Sequence, residues 1–95
     1  MFGGTLTGVH GRIDYGYFPA ATLEGFTVTR RSPTAFVLRG TCIDANAFNL
    51  RQRPLVFVVP TQSGEWRWPV ETVTVANGRL AAQLGAPLPM RTPHV

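Results

Sequence analysis

Asn77-Gly78 sits between two runs of alternating polarity, residues 71–76 and 79–84. This pair accepts positive φ at both central positions of a type I′ turn, whose twist matches that of two antiparallel strands. A two-residue loop there pairs Ala76 with Arg79, Val75 with Leu80 and Val73 with Ala82. Side chains alternate along a strand, so Val73, Val75, Leu80, Ala82 and Leu84 share one face, the expected core face. Gly85 and Pro87 end the second arm. A chain built around such a hairpin is directed toward antiparallel sheet.

The remaining segments repeat the theme. Residues 55–59 are apolar on both faces and read as a central strand bracketed by Pro54 and Pro60. After a turn at Gln62-Ser63-Gly64, Trp66, Trp68 and Val70 fall on one side of a further strand and Glu65, Arg67 and Glu71 on the other. Pro69 cannot donate to a ladder and marks an edge or a bulge there. Residues 34–43 form a strand with Phe36, Leu38 and Cys42 on one face and Val37, Arg39, Thr41 and Ile43 on the other. Residues 26–30 form another, and Arg31-Ser32-Pro33 turns the chain between them. Residues 4–12 make the first strand, with Leu6, Gly8 and His10 opposite Thr5, Thr7 and Val9. Two segments stay open. Pro19 to Gly25 has the proline-early, glycine-late signature of one helical turn, and Asn46 to Gln52 is a capped turn or a short strand.

Six short, mainly antiparallel strands with glycine and proline punctuation predict an all-β small barrel or sandwich. The expected domain covers residues 1–86, and residues 87–95, with three prolines, form an extended Pro-rich tail. Leu88, Met90 and Val95 are spaced to touch a neighbouring surface rather than to build a core, and are the residues expected to dock the tail. The chain has 95 residues, of which 44% are hydrophobic, enough for one core without cross-links. Its longest apolar run is far shorter than a membrane span, and residues 1–5 have neither a basic nor an apolar leader region.

Cys42 is the single cysteine, which rules out an internal disulfide and fits a reducing compartment. It is read as a small buried hydrophobe. The net charge is +4, and all nine basic residues are arginine. Positive excess suits an anionic partner and argues against a DNA mimic. Lysine is absent while alanine, glycine and proline are abundant, which points to a GC-rich bacterial genome or that of its phage. The expected location is the cytoplasm of such a bacterium or the virion of its phage.

Signals for catalysis are sparse. Cys42, Ser32 and Ser63 are the candidate nucleophiles and His10 and His94 the candidate bases, but neither serine lies in a Gly-x-Ser-x-Gly elbow. A Cys42–His10 dyad requires two strands to bring them together. His10, Asp14, Cys42, Asp44 and His94 lack the close spacing of a zinc or calcium site, and no glycine-rich phosphate loop is present. No cofactor is expected, and the chain reads as non-enzymatic.

Aromatic and arginine side chains form the candidate contact surface. Tyr15, Tyr17 and Phe18 fall in an expected loop, and Trp66 and Trp68 flank Arg67. Arg30, Arg31, Arg51 and Arg53 lie at strand ends or in loops. These groups either fill a small domain's core and rim or carry binding, since tyrosine, tryptophan and arginine dominate interface energetics. The general character resembles that of small proteins carried by phages and prophages of GC-rich bacteria, on overall composition and on no motif. The expected function is a protein-binding or assembly module, such as a virion component or an inhibitor of a host system, with a protein partner or a homo-oligomer. The alternative is a nucleic-acid-binding small barrel, with Tyr15, Tyr17, Trp66 and Trp68 stacking bases and the arginines holding phosphates.

Overall fold

Pairing closes the chain on itself. In the computed structural model, which describes residues 4–91, seven strands run β1 (Thr5–Tyr15), β2 (Phe18–Ser32), β3 (Ala35–Ala45), β4 (Leu55–Thr61), β5 (Gly64–Ala76), β6 (Arg79–Leu84) and β7 (Leu88–Arg91). One short helix, α1 (Ala47–Leu50), lies between β3 and β4. All pairings are antiparallel, and six strands form a ring in the order β1-β2-β3-β6-β5-β4, with β4 returning to β1. The chain is therefore a small all-β barrel-like fold. No helix among the described residues is long and apolar enough to cross a membrane.

The hairpin expected from Asn77-Gly78 forms in the expected register, Ala76 to Arg79, Val75 to Leu80 and Val73 to Ala82. Asn77 has φ 55° and Gly78 φ 73°, the left-handed values that a type I′ turn requires. Leu80, Ala82 and Leu84 are buried and Val73 packs against the core, while Val75, nearest the turn, is exposed. The two alternating runs read separately at 65–70 and 71–76 are one strand, β5. Their phases differ, with Trp68 and Val70 inward at even numbers and Val73 inward at an odd one. A register shift between Val70 and Thr72 absorbs Glu71 and brings both sets to the same face.

Strand β2 replaces the helical turn considered for Pro19 to Gly25. Those residues pair on both flanks, with β1 and with β3, and two ladders outweigh the local proline and glycine signal. The inward phase changes along β1 and β2 together, from Leu6 and Gly8 opposite Val28 and Phe26 to Gly11 and Ile13 opposite Leu23 and Ala21. Gly25, with φ 90°, sits at the change. The expected aromatic loop at residues 14–19 is instead a tight connection, since Tyr15 pairs with Phe18 across Gly16-Tyr17. Asn46 caps α1 by accepting from the Asn49 amide at 2.9 Å, the capped turn of the two readings for this segment.

The core fills the ring. Phe57, Ile13, Leu23, Leu38 and Leu55 are among its fully buried side chains. Phe26 meets Phe57 edge-on at 5.2 Å, and Trp68 lies 5.7 Å from Phe57 and 6.5 Å from Phe36. Strand β4 is apolar on both faces for a visible reason. Leu55 and Phe57 point inward, whereas Val58 is buried on the outer face between its strand neighbours Arg12 and Arg67. Arginine stems cover apolar surface while their heads reach polar partners.

The C-terminal residues add an edge. Gly85 donates to the Pro69 carbonyl at 2.9 Å, after which β7 continues along the edge of β5 that β6 leaves. Leu88 pairs with Arg67, and the Arg67 guanidinium donates to the Pro89 carbonyl at 3.1 Å. Leu88 is half-buried. Met90 lies within β7, and His94 and Val95 lie outside the described residues.

Candidate functional site

One end of the ring is an apolar mouth. The inward residues nearest that end are Leu6 of β1, Val28 of β2, Phe36 of β3 and Trp66 and Trp68 of β5, and Pro87 closes the circle. Together with Gly4, Thr5 and Arg30 they surround a cavity of about 300 Å³. Trp68 forms its floor and is only 4% exposed, whereas Trp66 at the lip is 46% exposed and Leu6 is 41% exposed. The rings of Phe26, Phe57, Trp68 and Phe36 run from the centre of the core to this opening. The buried Trp68 indole N–H has no hydrogen-bond acceptor among the described residues.

The mouth lies beside an unpaired strand edge. Strand β1 pairs with β4 only through Arg12, Ile13 and Asp14. Its first half, from Thr5 to His10, pairs with β2 on one side and with no strand of the described residues on the other. Pro60, near the end of β4, cannot donate to a ladder there. Backbone groups that would lengthen a sheet thus stand next to an apolar cavity.

The closing seam is polar and tied down. Arg12 binds Asp14 through Nε at 2.7 Å and Glu65 through Nη2 at 3.0 Å, which links β1 to β5 across β4. Burial alone would lower the Arg12 pKa. The hydrogen bonds and charges of Asp14 and Glu65 outweigh burial and hold it above its ordinary value. Arg12 is therefore a fixed cation throughout the neutral range.

No protein-family model, curated protein or solved structure matches this chain.

The residues picked out from sequence separate into several places. Trp66, Trp68 and Arg30 come together at the mouth. Tyr15 is half-buried against the core, while Tyr17 and Phe18 are exposed at the opposite end of β1. Phe48 of α1 is exposed as well. Arg53 donates to the carbonyls of Leu50, Gln52 and Glu71 and so ties the α1 segment to β5. Arg67 holds β7, and Arg51 is exposed at the C-cap of α1. Arg31 lies on the outer face of the sheet. The four stacking candidates Tyr15, Tyr17, Trp66 and Trp68 do not line one surface.

Leu6, Val28, Phe36 and Pro87 complete the mouth and were not among the sequence candidates. Alternation placed Leu6 and Phe36 each on one face of its strand without saying which face is inward, and assigned Val28 no face; their convergence at one end depends on strand order. Of the catalytic candidates, His10 is exposed opposite Glu24, and Cys42 is half-buried two strands away, with its thiol donating to the Asp44 carbonyl at 3.3 Å. Among the described residues no three acidic, histidine or cysteine side chains gather as a metal site.

Proposed function

We propose that this chain is a non-enzymatic protein-binding or assembly module that receives an extended apolar segment of a partner protein at the mouth. The observation that carries the reading is the apolar cavity under Trp66 and Leu6, set beside the unpaired edge of residues 5–10. An added strand gains main-chain hydrogen bonds along such an edge, and a pocket for its side chains supplies selectivity. The polar side chains around the cavity are Thr5 and Arg30, a set suited to orienting a ligand rather than to acid–base or nucleophilic chemistry. A tryptophan at the lip and a second on the floor supply large, stiff contact area. The arginine-only basic complement extends the proposal to a phage- or prophage-borne component, in a virion or acting on a host protein.

The test is affinity capture on nuclease-treated material with the wild-type chain and with Trp66→Ala and Leu6→Ser. Both positions are substantially exposed, so the variants should melt within a few degrees of the wild type. Protein partners should survive nuclease and be lost by both variants. Partners retained by both variants would move the interface elsewhere. Recovery that disappears with nuclease would favour nucleic acid over protein.

A further inference from the structure

The arginines divide by employment. Arg12 is ion-paired, Arg53 and Arg67 hold carbonyls, and Arg30 stands at the mouth. The side chains of Arg31, Arg39 and Arg79 make no hydrogen bond or ion pair among the described residues, and all three lie along one outer face. That face is built from the outward rows Thr29–Val37–Gln83–Thr72 and Thr27–Arg39–Ala81–Thr74, followed by Thr41–Arg79–Ala76. Two adjoining depressions of about 350 and 260 Å³ run along it and share Arg39, Thr74 and Ala81. Arg31 stands at one end of this groove and Arg79 at the other.

The rows themselves hold no carboxylate. Asp14 and Glu65 are bound to Arg12 on the β1–β4–β5 side. Glu24 and Asp44 are opposite His10 and Thr22, beyond these rows, and Glu71, at the bulge, has its Oε2 beside Gly85. The groove's own hydroxyls, Thr72 and Thr74, are spent on Gln83 Oε1 and the Ala81 carbonyl, so the unengaged guanidinium groups are its ligand-binding donors, and an exposed row of them with no interleaved acid is complementary to a repeating anion. Guanidinium groups bond phosphate oxygens without reading sequence.

We propose that this groove binds the sugar–phosphate backbone of double-stranded DNA, independently of base sequence. A single strand is the weaker fit, because single-strand binders stack bases on aromatic rings and these rows contain none. The proposal concerns a different face from the mouth, so either can fail alone.

The experiment is a fluorescence anisotropy titration of the full chain against two labelled duplexes of unrelated sequence and one single strand, at 50 to 200 mM salt. Three phosphate contacts correspond to a fall in duplex affinity of about 40-fold over this fourfold salt range, through counterion release. Arg39→Ala and Arg79→Ala should each reduce that fall to about 12-fold. Arg51→Ala, on the α1 side away from the groove, should leave it unchanged. The two duplexes should bind within a few-fold of each other and more tightly than the single strand. The proposal is overturned by no duplex binding at 50 mM salt with about 1 mM protein, well above the usual non-specific range. It is equally overturned by preference for the single strand, by tenfold discrimination between the duplexes, or by a salt dependence that both arginine variants leave intact.

Discussion

Gly8 lies directly under the ring of Phe26, its partner across β1 and β2. A Cβ added there would sit 2.5 Å from the Phe26 Cζ, well inside contact distance. Phe26 cannot yield freely, because its ring also packs edge-on against Phe57. Gly8→Ala should therefore destabilise the fold by about 1–3 kcal/mol through overpacking, measured by chemical denaturation. Phe57 is fully buried among Phe26, Trp68 and Ile13, so Phe57→Ala should cost about 3–5 kcal/mol in the same assay. Gly78→Val places a β-branched residue at φ 73° and should lower stability by more than about 1 kcal/mol. A Gly78→Val protein as stable as wild type would show that the turn does not hold this conformation.

At the scale of elements, β7 is an addition to a ring that closes without it. It pairs with β5 through Glu65 and Arg67 and is held by the Arg67 to Pro89 bond. Deleting residues 88–95 should leave the domain folded, with its melting temperature lowered by a few degrees, since about 1 kcal/mol corresponds to roughly 4–8 °C at this size. Unfolding of the truncated chain would place β7 in the structural core. What could be read from sequence at this scale follows the range of the interaction responsible. The Asn77-Gly78 hairpin, the two-faced strand at 55–59 and the facing of Phe36, Leu38 and Cys42 depend on local alternation, and all were legible. The helical signal at Pro19 to Gly25 was misleading because β2 is fixed by pairing on both sides, which no local window contains. The single strand β5 was hidden by the change of phase at Glu71, and the loop expected at residues 14–19 hid a two-residue turn.

At the scale of the whole molecule, two surfaces separate by chemistry. The mouth gathers Trp66, Leu6 and Phe36 from three strands, and the groove gathers Arg31, Arg39 and Arg79 from β2, β3 and β6. Neither grouping was visible from sequence, because both depend on strand order, above all on β6 lying beside β3 and β4 beside β1. Closure through only three residue pairs between β1 and β4 is what leaves residues 5–10 with a bare edge next to the mouth. The most direct test of this arrangement is residue-resolved amide hydrogen exchange on the isolated, monomeric protein. Strong protection is expected where residues 12–14 meet residues 56–58, and rapid exchange at alternate amides between Thr5 and His10, those pointing away from β2. Protection of every amide from Thr5 to His10, or free exchange across the pairing of Ile13 with Phe57, would contradict it.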